Sequence, residues 1–449
     1  MQNNITLPLL VQNVLERLEK NGFSAYVVGG CVRDSLQGKK PHDWDICTSA
    51  LPQQVKEVFG GCKIVETGIA HGTVTLFLEG QPFEITTFRT EGNYTDGRRP
   101  DSVSFSPNIE DDLSRRDFTI NAMAYNPNRG LVDLFGGRQD LQKKVLRCVG
   151  QPHERLREDA LRILRGVRFC AGLGLKMDAE SKQALQDCVA GLEHISVERI
   201  FEELTKLLCG EFVVQALLEY DFVLFQILPQ LQATKGFEQH NPYHIWDVWR
   251  HTVYAVGASI PDPIVRLALL FHDIGKPLCF HQEKGVGHFY GHANISFQMS
   301  KEVLEKWKVS IQQKNRVCRL VKYHDSPIWP TDVSIKRWLN RMGVEDFFLL
   351  LEVKRGDARA KAEHCQWRLE EIDQIEAIAR DILRRKECFS LKKLNISGKE
   401  LLQLGFVQGK EIGKTLDFLL SQVMQGMLPN EPTPLQQAAL QYRKKLENK

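Results

Sequence analysis

Residues 26–50 read YVVGGCVRDSLQGKKPHDWDICTSA. An apolar, strand-like run ends in Gly29-Gly30 and is followed at once by Arg33 and Asp34. Two carboxylates, Asp43 and Asp45, then appear two positions apart. In a β-strand residues i and i+2 point to the same face, so this spacing lets both converge on shared divalent cations. Hard Mg²⁺ ions held by carboxylates and substrate phosphates are the usual apparatus of phosphoryl and nucleotidyl transfer. Gly29 and Gly30 let backbone N–H groups approach a triphosphate, and Arg33 can clamp it. A lone Asp-x-Asp is more often a solvated acidic strand edge; the ordered string of residues carries the reading.

Downstream segments extend the same chemistry. FEITTFR, 83–89, alternates apolar and polar positions and offers Glu84 as a third carboxylate beside the Asp43–Asp45 strand, or else as an exposed strand glutamate. TEGNYTDGRRPDSVSF, 90–105, is polar and Gly-rich, with Asp96, Arg98 and Arg99, and reads as a mobile loop that completes a site or as a solvated hairpin connection. DLSRRDFTINAMAYN, 112–126, supplies Arg116 for phosphate and Asp117 for ribose hydroxyls. REDALRILRGVRF, 157–169, is predicted as one amphipathic helix with Leu156, Ala160, Leu164 and Val167 as its core stripe. Its opposite face carries Glu158, Asp159, Arg162 and Arg165. Glu158 and Arg162 at i,i+4 form a routine surface salt bridge in the plain reading. A rigid carboxylate and guanidinium can also imitate a base-pairing partner: one accepts from an exocyclic amine, the other donates to a ring nitrogen or carbonyl.

Composition sets the limits. At 449 residues the chain is too long for one core and is expected to form three or four domains. Hydrophobic content of 43% and charged content of 26% are ordinary for a globular protein, and a net charge of +3 does not announce a nucleic-acid binder. Eleven cysteines are scattered singly without metal-ligand spacing, which fits a reducing cytoplasm and argues against a zinc ribbon or disulfide framework. The N-terminus reads as an amphipathic helix with Leu10, Val14, Leu15 and Leu18 on one face, not as a signal peptide. No apolar run approaches the ~20 residues of a membrane span. Strand-like segments at Ala25–Val28, Asp45–Cys47, Thr73–Leu78, Phe83–Phe88, Val103–Phe105 and Gly130–Asp133 mark a small α/β domain, and helical periodicity takes over beyond about residue 140.

The motifs GGCVRD, DWD, EITTFR, DGRRPD, SRRDFTINAMA, EDALRILRGVRF and HISVERIFEEL stand in the order and approximate spacing of the class II tRNA nucleotidyltransferases. The chain resembles these CCA-adding enzymes, relatives of bacterial poly(A) polymerases, over roughly residues 20–210. The resemblance implies an α+β fold: a polymerase-β-like head with a mixed sheet at 1–145, then a helical neck at 146–212, body at 213–380 and tail at 381–449. It further implies two Mg²⁺ ions on Asp43 and Asp45, sugar and phosphate contacts from Arg116 and Asp117, and selection of CTP and ATP by Asp159 and Arg162. The implied partner is tRNA, held at its acceptor stem and elbow, with addition of its 3′-terminal CCA in the cytoplasm. An A-adding enzyme, a poly(A) polymerase and an RNA-binding protein with an inert head stay open as alternatives, as do monomer and dimer.

A second constellation lies further on. His251, His272-Asp273, His292 and His324-Asp325 resemble the HD phosphohydrolase pattern within about 244–345. Imidazole and carboxylate ligands suit a further divalent metal. Ala293 follows His292 where relatives of this type often carry Glu. The alternative is an HD fold kept as a tRNA-binding scaffold without chemistry of its own.

Overall fold

A β-branched, fully buried strand, AYVV, organises the first half of the chain. The computed structural model describes residues 5–92 and 102–447, so the expected loop residues Asp96, Arg98 and Arg99 lie outside the described residues. The chain divides into two units, Met1–Gln232 and Ala233–Lys449.

The first unit is built on a seven-stranded sheet. Its strands are β1 (Ala25–Val28), β2 (Ile46–Thr48), β3 (Lys63–Gly68), β4 (Thr73–Leu78), β5 (Gln81–Thr87), β6 (Met123–Asn126) and β7 (Gly130–Asp133). They lie in the order β3-β4-β5-β2-β1-β6-β7. All neighbours are antiparallel except β2 and β5, which run parallel and make the sheet mixed. Tyr26, Val28, Cys47 and Ala124 on one face share a core with Phe88, Ile109 and Leu113. The helix Leu9–Lys20 buries Val11, Val14, Leu15 and Leu18; Leu10, expected on that face, is only half-buried, and Val11 takes its place.

The strands expected at β1, β4, β7 and Val103–Phe105 have the bounds read from sequence, while those at β2 and β5 are offset by one or two residues. β3 and β6 escaped the sequence reading. β6 is MAYN, buried at every position, and so shows no alternation of apolar and polar residues. Arg89–Glu91 pairs with Val103–Phe105, which makes the base of the 90–105 segment a hairpin.

Beyond β7 the first unit is helical apart from a short parallel pair, Val145–Leu146 with Lys176–Met177, and the helix expected over 157–169 is broken. It is two helices, Pro152–Glu158 and Leu161–Leu173, with Asp159 extended between them at φ −142°, ψ 103°. The Asp159 carboxylate accepts from the Leu161 N–H at 3.0 Å, and a side chain that bonds nearby backbone competes with helix continuation. The stripe Leu156, Ala160, Leu164 and Val167 is nonetheless buried throughout. The helix Val197–Leu208 packs beside Leu161–Leu173.

The second unit is helical apart from a small hairpin, His281–Glu283 with Val286–His288. Val248–Gly257, Pro263–Phe271 and Val344–Arg359 meet at Gly356, where a Cβ would come within 2.7 Å of Leu269 Cδ1 and 2.9 Å of the Ala255 carbonyl. No helix among the described residues is long and apolar enough to cross a membrane. The architecture is α+β: a mixed-sheet head followed by helices.

One glycine fixes how β1 delivers its end to the site. Gly29 has φ 78° and ψ −125°, and a Cβ there would lie 3.1 Å from Arg116 Nη1. Gly29→Ala is expected to destabilise the protein by about 1–3 kcal/mol, read as a lower denaturant midpoint. Gly30→Ala, whose Cβ meets only Arg33 Nη2 at 3.7 Å, should leave that midpoint nearly unchanged.

Candidate active site

Asp43 and Asp45 do not lie within a strand: both precede β2 in an extended segment, and the ladder reaches back to them through Val28 N–H donating to the Asp45 carbonyl at 3.0 Å. The parallel register pairs Ile46 with Ile85, so one step back Asp45 stands beside Glu84. Asp45 is exposed on the cleft wall, yet enough protein surrounds its carboxyl to push it up to about 6. Burial contributes most to that shift, then repulsion from Asp43 and Glu84, while Arg116 opposes it.

Arginines face this acidic corner. A cleft of about 550 Å³ is lined by Gly29, Gly30, Arg33, Asp43, Asp45, Arg116, Asp117, Asp159, Arg162 and Arg165, all singled out in the sequence. Arg115, which the 112–126 segment also offers, lines it as well, as do Asn121, Arg168, Phe169 and Arg199, which were missed. Arg33, Arg115, Arg116, Arg162, Arg165, Arg168 and Arg199 thus oppose only Asp43, Asp45, Asp117 and Asp159 in the lining. An excess of guanidinium over carboxylate suits a polyanionic ligand.

Each arginine is held from behind. Asp112, fully buried, takes Arg115 Nη2 at 2.6 Å and Arg116 Nη2 at 3.0 Å. Arg33 donates to Asn121 Oδ1 at 2.7 Å, and Asn121 donates in turn to Asp117 at 3.3 Å. Arg165 grips Asp117 Oδ2 through Nε at 2.8 Å and Nη2 at 2.6 Å. Burial alone would raise the Asp117 carboxyl, but Arg165 holds it down at about 2. Asp117 therefore acts first as the anchor of Arg165. Its Oδ1 is also engaged, accepting from the Phe118 N–H at 2.8 Å.

Arg162 is not on a solvent-exposed face as the helix reading expected: it is 9% exposed. Its guanidinium meets Glu158 and donates to the Arg155 carbonyl at 2.8 Å and the Arg115 carbonyl at 3.1 Å. Asp159 receives Arg199 Nη2 at 2.7 Å. Arg199 lies in the first turn of Val197–Leu208, the end of a helix that disfavours cations, and that misplacement was the available sequence signal.

The second unit gathers another cluster. His251, His272 and Asp357 form one triad, and Asp273, His292 and His324 a second. Asp273 spans both: Oδ2 lies 3.2 Å from His272 Nε2 and 3.5 Å from His251 Nε2, and Oδ1 lies 3.4 Å from His292 Nε2 and 3.7 Å from His324 Nε2. Asp325, expected in this set, belongs to neither triad and lines a cavity together with His324, Lys354 and Asp357; of these carboxylates it is Asp357 that joins a triad. Asp357 is carried in by the close helix crossing at Gly356; a glycine in mid-helix was the only hint in the sequence. The Nδ1 atoms of His272, His292 and His324 contact the carbonyls of Leu269, Phe289 and Val321 at 2.6, 2.9 and 2.7 Å. A carbonyl only accepts, so each Nδ1 is the donor and each ring turns its Nε2 toward the cluster.

Comparison with known proteins fits this geometry. Residues 25–147 match the poly A polymerase head domain, 174–234 the RNA and SrmB-binding site of polymerase A, and 283–439 the tRNA nucleotidyltransferase domain 2. The CCA-adding enzyme of Lactobacillus helveticus is 34% identical over 439 residues, covering 94% of both chains. The chain belongs to the class II CCA-adding enzymes. The Bacillus cereus CCA-adding enzyme is 41% identical over 262 residues, 57% of this chain and 66% of that one. The crystal structure of the Bacillus stearothermophilus CCA-adding enzyme in complex with CTP superposes with a TM-score of 0.74 at 28% identity, covering 98% of each chain. The Thermotoga maritima CCA-adding enzyme complexed with tRNA shares the fold, with a TM-score of 0.58 at 20% identity.

The crowding at Asp45 in this CCA-adding enzyme has a measurable sign. Its folded pKa lies above the unfolded one, so its contribution to stability is complete below about pH 3.8 and is lost as pH rises through about 6. In protein stripped of divalent cations, carboxyl carbon NMR should report an Asp45 midpoint near 6. Glu84→Gln should move that midpoint down; an unmoved midpoint would separate Glu84 from the acidic corner.

Proposed function

We propose that the protein adds C, C and A in turn to the 3′ end of tRNA, taking CTP and ATP and using no nucleic-acid template. The observation that carries this reading is one cleft holding the acidic corner of Asp43 and Asp45 on one wall and the Asp159–Arg162 edge on another. The tRNA 3′-hydroxyl attacks the α-phosphorus of the bound nucleotide, its proton is released, and the bond to pyrophosphate breaks. Arg33, Arg116 and Arg165 hold the triphosphate, each preset by a carboxylate or an amide in the protein. Asp159 accepts from the exocyclic amine of C or A, and Arg162 donates to the ring edge; U and G lack that amine-and-acceptor pattern. Each such charge-assisted contact discriminates by roughly 1–3 kcal/mol.

The acidic corner fits a divalent cation. Asp43 and Glu84 both repel the Asp45 charge, and Arg116 opposes that rise. Two Mg²⁺ ions on Asp43 and Asp45, with Glu84 alongside, would acidify the attacking hydroxyl and offset charge on the departing pyrophosphate. In this reading residues 1–145 are the catalytic head, 146–212 the neck that reads the base, and 213–380 and 381–449 the body and tail that hold the tRNA acceptor stem and elbow. Eleven free thiols suit a cytoplasmic protein.

Incubation with tRNA lacking CCA, with CTP and ATP separately and together, tests the reading: only both together should restore the full terminus. A-only addition to tRNA ending in CC would instead mark a partial enzyme, and a long A tail a poly(A) polymerase. Asp43→Ala and Asp45→Ala should each abolish addition, by at least about 10³-fold, while tRNA binding by gel shift persists.

A second reading concerns the histidine cluster. His251 and His272 present their Nε2 atoms to each other at 3.3 Å, and His292 and His324 theirs at 3.1 Å. Where both rings of a pair are neutral with Nδ1 as donor, two lone pairs face each other, an arrangement a cation between them relieves. The buried Asp273 and half-buried Asp357 carboxylates, both held well below the usual range by the groups around them, complete a donor set for a divalent metal. Asp357→Ala should weaken Mn²⁺ binding by calorimetry at least about 10-fold, and Asp325→Ala should not.

A further inference from the structure

We propose that Arg199 is a positioning residue for nucleotide choice: it fixes the direction in which the Asp159 carboxylate presents its acceptor edge. The inference rests on the base-reading role given above to Asp159. Asp159 has no helix to hold it, since it sits extended in the break between Pro152–Glu158 and Leu161–Leu173. A carboxylate in such a break is free to rotate about its side-chain bonds unless something grips both oxygens. Arg199 does so, with Nη2 at 2.7 Å from Oδ2 and Nη1 at 3.4 Å from Oδ1, while the Leu161 N–H holds Oδ1 at 3.0 Å. An ionised carboxylate offers about four lone-pair sites, so acceptor capacity is left for a base amine after these contacts.

The grip comes from a stiff element. Arg199 and Glu203 are four residues apart on Val197–Leu208 and share a face. Glu203 takes Arg168 Nε at 2.5 Å and lies 3.8 Å from Arg165 Nη1. The same helix face therefore holds the start of Leu161–Leu173 through Asp159 and its middle through Arg165 and Arg168. Arg162, one turn from Asp159, is fixed independently by Glu158 and by the Arg155 and Arg115 carbonyls. Acceptor and donor of the base edge are thus set by different partners, and removing Arg199 frees the acceptor alone.

The test is single-nucleotide addition kinetics with CTP, ATP, UTP and GTP on folded Arg199→Ala, Arg199→Lys, Asp159→Ala and the Arg199→Ala/Asp159→Ala double variant. Expected for Arg199→Ala is at least about a 10-fold fall in the ratio of kcat/KM for CTP over UTP. Arg199→Lys should give an intermediate ratio, because an ammonium keeps the charge without the two-point grip. The double variant should discriminate no worse than Asp159→Ala alone, since Arg199 acts through that carboxylate. An equal rise in KM for all four nucleotides with the ratio intact would overturn the proposal and make Arg199 a phosphate contact. Additive losses in the double variant would overturn it too. Wild-type discrimination by Asp159→Ala would remove the base-reading role itself, whereas its loss there and retention in Arg199→Ala would remove only the role of Arg199.

Discussion

The cleft hangs on a carboxylate that never meets water. Asp112 is fully buried, and burial alone would raise its pKa, but Arg115 and Arg116 hold it below the usual range. Breaking a buried pair from one side costs about 3–5 kcal/mol, so these three side chains stand or fall together. Arg116 carries the consequence to Gly29 and Asp45, and Arg115 to Arg162 through its backbone carbonyl. A single desolvated anion thereby links the acidic corner to the edge formed by Asp159 and Arg162. The surface salt bridge that the i,i+4 pair Glu158–Arg162 suggests is instead one spoke of this network.

The second unit follows a different economy. Its cluster is made from imidazoles and carboxylates that converge at short range and are held in place by helix packing. His251 is lowered by burial against the pull of Asp357 and Asp273. His292 is raised, because its bond to Asp273 and the charge of Asp273 outweigh burial. That packing is close at Gly356, where even a Cβ would crowd Leu269 Cδ1 and the Ala255 carbonyl.

Sequence and structure agree best where local signals and long-range contacts coincide. β1, Gly29-Gly30 and the two aspartates were legible because strand pattern, turn chemistry and carboxylate spacing occupy one continuous stretch. The break at Asp159 was not, since the apolar stripe from Leu156 to Val167 keeps helical periodicity across it and only the capping contact to Leu161 N–H interrupts the backbone. Arg199 and Asp357 were missed for a shared reason: each gains its role from a partner 40 or 106 residues away, Asp159 and His251, and although Arg199 stands within HISVERIFEEL nothing local there signals its pairing. Asp325 misled by adjacency: it sits next to His324 in sequence and shares a cavity wall with His324 and Asp357, but belongs to neither triad.

Seven guanidiniums around one opening also act beyond contact range. At an ionic strength near 0.1 M their field reaches about 10 Å before mobile ions mask it. Within that distance the cleft attracts any dense polyanion, whatever its bases, and the pairings behind the arginines keep them in place while it arrives. Capture and choice are therefore separate events: the first weakens as salt is added, and the second depends on short-range geometry that salt barely touches. A non-cognate polyphosphate would be drawn in as readily as a nucleotide, and under the role proposed for Asp159 and Arg162 it is turned away only at their edge.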